Sequence, residues 1–220
     1  DAERAAAHEE AGILTPVAKA FSTDIGIEVA STGVQVHGGM GFVEETGAAQ
    51  HLRDARIAAI YEGTNGIQAI DLVTRKLPLS GGAAVKALVE RFRQSALKAG
   101  AINDPGFKRV GELTLGAVEA LARATDFMLG ALGSAPNKAL AGATPYARLF
   151  GIAAGGAYLV EQARTAHVAR VAGETDPRHA DRIRDARFFA ENHASAAAGL
   201  EISVVSGWDA VNEAYADVTA

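Results

Sequence analysis

Two segments carry residue types that a purely structural role does not exhaust. The first is Gln35-Val36-His37-Gly38-Gly39-Met40-Gly41-Phe42. Three glycines within four positions let backbone amides come close to a ligand, often a phosphate. Taken alone, a helix C-cap followed by a turn is the commoner use of such glycines, and a helix C-terminus is the wrong end for an anion. The second is Ile60-Tyr61-Glu62-Gly63-Thr64-Asn65-Gly66-Ile67-Gln68. Glu62 stands between an apolar link and a helix start, where its carboxylate can project into a cavity. An exposed glutamate favouring a helix N-terminus is the plainer alternative.

Order and spacing make the pair specific. Gln-x-His-Gly-Gly-x-Gly-Phe is followed by Leu52-Arg53-Asp54-Ala55-Arg56-Ile57, then by Ile60-Tyr61-Glu62-Gly63-Thr64-Asn65 and Ile67-Gln68. This succession resembles the C-terminal core of acyl-CoA dehydrogenases over roughly residues 10 to 77. The resemblance implies that Gln35, Val36, His37, Gly38 and Gly39 contact the adenosine-diphosphate part of FAD, held mainly by the neighbouring subunit. It implies that Glu62 is the catalytic base, that Gly63 faces the substrate, and that Thr64, Asn65 and Gly66 form the short flavin-binding stretch after the base. Gly66 departs from the glutamine common at that position in the best-known short- and medium-chain enzymes, so a side-chain contact to FAD is lost there. The Thr-Asn-Gly-Ile-Gln variant is similar to a bacterial branch with an appended C-terminal helical domain. That branch includes broad fatty acyl-CoA and 3-methylmercaptopropionyl-CoA dehydrogenases.

The implied reaction is α,β-dehydrogenation of an acyl-CoA thioester. A solvated glutamate, with a pKa of about 4.3, is a poor base for such a carbon acid. The site must therefore exclude water and stabilise the developing enolate by hydrogen bonds to the thioester oxygen. In the family these come from the base's own backbone N–H and a flavin ribityl hydroxyl. The family's N-terminal helical domain and middle β-domain have no counterpart in this sequence. The expectation is a C-terminal fragment, inactive by itself, that needs the remaining polypeptide. A homodimer, acyl-CoA as substrate and electron-transfer flavoprotein as acceptor are implied partners.

The elements that must position these residues read as helices throughout. Thr15-Pro16 has the chemistry of a helix start, and Val17, Phe21, Ile25 and Val29 follow at four-residue spacing up to a stop at Gly38-Gly39. A short helix is predicted from about Ala48 to Arg56. Another is predicted from Thr64 to Leu77, with Ile67, Ile70, Val73 and Leu77 on one side and Pro78 ending it. Leu79 to Ala83 reads as a linker. Four helical segments follow: the one beginning near Val85, the one from Val110 to Met128, Pro145 to Ala172, and Pro177 to Val205. Asn103-Asp104-Pro105, Ala135-Pro136-Asn137 and Thr175-Asp176-Pro177 separate them. The prediction is an all-α chain of two units, residues 1–78 and 84–220, joined by residues 79–83, the second an antiparallel bundle.

Composition narrows the remaining classes. Charged residues are 21% and the net charge is −5, which disfavours a sequence-independent grip on nucleic acid. With no cysteine, thiolate sites and disulfides are excluded, and a cytoplasmic setting is expected. The longest apolar run, Leu149 to Val160, is too short for a membrane span. The six histidines show no ligand spacing, so no metal site is expected, and His193 reads as a packed core histidine. Arg178, Arg182, Arg184 and Arg187, interleaved with Asp181 and Asp185, read as a solvated face. The rival function is a non-catalytic helical scaffold that kept the fold. The intact Glu62 argues against it.

Overall fold

A computed structural model describes the backbone of residues 2–219 and the side-chain surroundings of residues 2–214. Asp1 and Ala220, the outer ends of the two expected units, lie outside the described residues. The described chain is helical with no strand. The elements are α1 (Ala2–Val36), α2 (Gly39–Phe42), α3 (Ala48–Ala58), α4 (Asn65–Asp71), α5 (Ala83–Gly100), α6 (Pro105–Ser134), α7 (Pro136–Ala141), α8 (Ala143–Val171), α9 (Arg178–Asn192), α10 (Ala197–Ser206) and α11 (Trp208–Thr219).

α1 does not start at Thr15-Pro16, which lies inside it. A proline in a helix interior removes one hydrogen bond and crowds the preceding turn. Here the carbonyl four residues back belongs to Gly12, and the Thr15 hydroxyl donates to the Ala11 carbonyl at 2.7 Å. Pro16 is itself buried between Ile13 and Val17, so packing outweighs the local stop signal. The expected apolar stripe is half used. Val17 is buried, Phe21 partly so, and Val29 is 65% exposed.

The helix expected from Thr64 to Leu77 is α4 followed by a π turn over Leu72–Lys76, in which the Leu77 N–H donates to the Leu72 carbonyl at 2.9 Å. The extra residue shifts the buried face. Ala69, Leu72, Val73 and Leu77 enter the core, while Ile67 and Ile70 stay exposed, contrary to the expected pattern. Asp104 caps α6 as the Asp-Pro signal requires, accepting from the Gly106 and Phe107 N–H groups. The segment read as a separator at Ala135-Pro136-Asn137 instead carries the short helix α7.

The segment expected as one helix from Pro177 to Val205 breaks at His193, whose backbone ends α9. Asn192 Nδ2 donates to the Phe188 carbonyl at 2.9 Å, and a 3-10 turn over Ala194–Ala196 leads into α10. The break lets Ala194, Ala197 and Val204 reach the core. His193 is exposed beside the Phe188 and Phe189 rings and is not the packed core histidine expected. On the outer face of α9, Arg178 pairs with Asp176, Arg184 with Asp181, and Arg187 with Glu191.

One core runs through both halves of the chain. Ile13, Val17, Leu72 and Leu77 belong to the same cluster as Val85, Phe92, Tyr146 and Phe150. α8 lies at its centre and is buried nearly all round from Leu149 to Ala157, which explains the alanines and glycines of that stretch. Phe21 of α1 packs on Gly151 of α8, where a Cβ would stand 2.3 Å from the ring. Ion pairs brace the same seam: Arg91 to Glu10 at 2.6 Å and Arg148 to Glu28 at 2.7 Å. The hydroxyls of Tyr146 and Thr125 meet at 2.7 Å, fully buried. Burial pushes the Tyr146 phenol well above its ordinary range.

Candidate active site

Glu62 sits in the turn over residues 59–64 that joins α3 to α4. The Asn65 N–H closes this turn on the Ala59 carbonyl at 3.1 Å. Glu62 has φ 53° and Gly63 has φ 83°, two consecutive residues in the left-handed region. Glycine adopts this freely, whereas a glutamate does so at a cost of about 1–2 kcal/mol. Ser80, at φ 50°, shares the conformation in the link to α5, so strain alone does not mark chemistry. Ser80, however, hydrogen-bonds Glu9 at 2.6 Å. The Glu62 carboxylate is exposed, and among the described residues none bonds to it. This chain does not itself supply the water-excluding surroundings that the expected base requires.

The backbone around Glu62 is pegged from both sides. Gln68 Nε2 donates to the Glu62 carbonyl at 3.0 Å, and Lys19 Nζ of α1 donates to the Gly63 carbonyl at 2.9 Å. Lys19 Nζ also donates to Asn65 Oδ1 at 2.8 Å. Asn65 Nδ2 points the other way, at Asp24 Oδ1 (2.6 Å), Thr23 Oγ1 (2.9 Å) and the Ala20 carbonyl (3.2 Å). The Asn65 side chain, expected at the flavin, is thus occupied by α1. Thr64 Oγ1 accepts from the Ile67 N–H at 3.4 Å as N-cap of α4, leaving its own O–H free to donate. Gly66 lies exposed in the first turn of α4. Sequence reasoning missed Lys19, Asp24 and Thr23. A lysine and an aspartate one and a half turns apart on a helix give no signal of a partner more than forty residues away.

At the other segment, α1 ends in the glycine loop as expected. His37 Nδ1 lies 2.9 Å from the Gly33 carbonyl. Because a carbonyl only accepts, Nδ1 carries the proton and Nε2 is left free. Gly38 has φ 59° and ψ −145°, a region open essentially to glycine alone. Gly41 is buried, and a Cβ there would stand 2.2 Å from the Val34 carbonyl oxygen. Gly39 differs, since no atom lies within 4 Å of the place a Cβ would take. No neighbouring atom demands glycine at 39, as none does at Gly26, Gly33 or Gly116. Gln35, Val36, His37, Gly38 and Gly39 are all exposed. A depression of about 260 Å³ beside the loop is lined by Ala30, Gly33, His37, Thr46, Ala48 and His51, and Glu62 and Thr64 do not line it.

Several large apolar side chains of the two segments and of the chain between them are exposed. Val36 and Phe42 are 79% and 82% exposed, and Ile57, Ile60, Tyr61 and Ile67 are also open. Large apolar patches on a soluble chain mark surfaces that something else covers. Among the described residues no helix is long and apolar enough to cross a membrane. No three histidine, aspartate or glutamate side chains among them gather as a metal site.

Residues 2–77 match the family described as "Acyl-CoA dehydrogenase, C-terminal domain", and residues 83–214 match "Acetyl-CoA dehydrogenase C-terminal like". Similar proteins include 3-methylmercaptopropionyl-CoA dehydrogenase of Ruegeria pomeroyi, 44% identical over 150 residues, which are 67% of this chain and 25% of that protein. A butyryl-CoA dehydrogenase of Syntrophomonas wolfei is 38% identical over 84 residues, covering 38% of this chain and 14% of the relative. A short-chain specific acyl-CoA dehydrogenase of Megasphaera elsdenii is 40% identical over 70 residues, 32% of this chain and 16% of the relative. The chain spans a quarter or less of the length of these relatives. With both halves matched in order, the chain belongs to the acyl-CoA dehydrogenase family.

Proposed function

We propose that residues 2–77 form one wall of an FAD-dependent acyl-CoA dehydrogenase active site, with Glu62 as the base that takes the α-proton of an acyl-CoA thioester. The observation that carries this reading is the state of Glu62. It is held in a strained left-handed turn with its own carbonyl and that of Gly63 pegged, yet its carboxylate is exposed and without a partner among the described residues. A purely scaffolding role would leave that arrangement unexplained.

The residues present fit FAD. Gln35 through Gly39 offer an exposed polar loop with an open backbone at Gly39, and Thr64 offers a free O–H. Asn65 and Gly66 would contribute backbone only, since one side chain is occupied by α1 and the other is absent. The flavin, when bound, supplies the acceptor for the β-hydride. Glu62 Oε would receive the α-proton. The Glu62 and Gly63 N–H groups lie in the turn whose orientation the two pegs fix, where they can donate to the thioester oxygen. The exposed apolar surface would be covered by the remaining polypeptide and by a second copy of the chain, which excludes water from the carboxylate. Reoxidation by electron-transfer flavoprotein and a cytoplasmic setting complete the reading. Residues 79–83 would link the catalytic part to residues 84–220, which brace α1 through the shared core.

Glu62→Gln in the intact enzyme tests this directly. Turnover is expected to fall by at least ~10²-fold with FAD retained, since general-base catalysis contributes ~10²–10⁴. Turnover within a factor of a few of wild type would refute the base.

A further inference from the structure

We infer that Lys19, on α1 and remote in sequence from the proposed base, is a positioning residue that sets the Glu62–Gly63 turn; the inference rests on Glu62 being that base. Two consecutive residues with positive φ do not hold their shape by local preference, because one of them is a glutamate. Something outside the turn must fix its peptide planes. Gln68 fixes the plane following Glu62 by donating to the Glu62 carbonyl at 3.0 Å. Lys19 fixes the next plane by donating to the Gly63 carbonyl at 2.9 Å. With both planes held, the Gly63 Cα between them is fixed, and with it the direction of the Gly63 N–H and of the backbone leaving Glu62.

The peg is itself anchored. Lys19 Nζ donates to Asn65 Oδ1 at 2.8 Å, and Asn65 Nδ2 donates to Asp24 Oδ1 at 2.6 Å. The amide thus lies between an ammonium on its oxygen side and a carboxylate on its nitrogen side, an order that polarises each bond further. Thr23 Oγ1 donates to the Lys19 carbonyl at 2.8 Å and accepts from Asn65 Nδ2 at 2.9 Å, tying the cluster to one turn of α1. α1 is in turn tied to the appended helices by the Arg148–Glu28 pair and by Phe21 on Gly151. A contact path therefore runs from the appended bundle through α1 and Lys19 to the turn that carries Glu62.

The test uses the intact protein as expressed from its gene, with Lys19→Met and Lys19→Arg. Hydrogen exchange read by mass spectrometry over peptides spanning 59–66 is expected to accelerate at least tenfold in Lys19→Met, with peptides of α6 and α8 unchanged. Turnover is expected to drop at least tenfold in kcat with KM for the acyl-CoA within twofold. Lys19→Arg, which keeps a cationic donor, should restore most of both. Unchanged exchange over 59–66, or exchange that rises equally throughout the chain, would overturn the inference. So would a loss confined to KM. If Lys19→Met does not fold, Lys19→Gln is judged by the same criteria. Should Glu62→Gln keep its activity while the exchange result stands, the base assignment fails and the turn-setting role of Lys19 does not.

Discussion

The ring of Phe21 on α1 lies across Gly151 of α8, so close that a methyl group at 151 would stand 2.3 Å from the ring. This contact decides how the segment carrying the glycine loop sits on the appended helices. Gly151→Ala is expected to destabilise the chain by about 1–3 kcal/mol, the usual cost of overpacking a core. Phe21→Leu in the same chain should recover part of that loss. Denaturant unfolding of the single and double variants checks it, and strictly additive effects would mean that Phe21 is not the obstacle.

Two glycines of the loop, Gly39 and Gly41, should behave differently. Gly41→Ala would force a Cβ onto the Val34 carbonyl, whereas Gly39→Ala meets no atom of the chain. Gly41→Ala is expected to lower the melting temperature and Gly39→Ala to leave it unchanged. In the intact enzyme, Gly39→Ala is expected to weaken FAD retention at least tenfold, measured by flavin released on dilution. Full retention would remove the proposed dinucleotide contact at 39.

Strain at Glu62 also has a measurable sign. Glu62→Gly relieves about 1–2 kcal/mol of left-handed strain and loses about 0.4–1 kcal/mol through the freer unfolded chain. The net expectation is a gain of up to about 1.5 kcal/mol in stability together with loss of turnover. A destabilisation larger than about 1 kcal/mol by chemical denaturation would show that the turn is not strained.

The buried Tyr146–Thr125 pair predicts an alkaline limit. Burial raises the folded-state pKa of Tyr146 above the unfolded value of 10. As pH rises past 10, the unfolded chain loses this proton while the folded chain keeps it, so stability falls. Ultraviolet titration of the folded wild-type chain and of Tyr146→Phe should coincide up to the unfolding transition, because the Tyr146 phenol ionises only on unfolding. Tyr146→Phe should cost about 1 kcal/mol at neutral pH and flatten the alkaline decline. A phenol signal that titrates near 10 in the folded wild-type chain and is missing from Tyr146→Phe would contradict the burial.

The residues that could do chemistry were legible because their signal is short-range. Gln35 to Phe42 and Ile60 to Gln68 are contiguous motifs whose order and spacing survive in one dimension, and residues 2–77, which contain both, match the family. The all-α class followed from helical periodicity, whereas Asn103-Asp104-Pro105, read only as a separator, holds the cap of α6. Thr15-Pro16 carried an equally good local signal and misled, since the burial of Pro16 in a 35-residue helix is a tertiary contribution. The π turn at Leu72 and the break at His193 likewise answer to which side chains the core accepts. The Lys19–Asn65 peg spans 46 positions and the seam of Phe21 on Gly151 spans 130, the difference of the two numbers. The sequence by itself determined which residues are present for the chemistry and that helices carry them. Only the tertiary structure decided which of them are held by the fold and which, like the Glu62 carboxylate and the Gly39 backbone, face outward, because those contacts form only after the helices have packed.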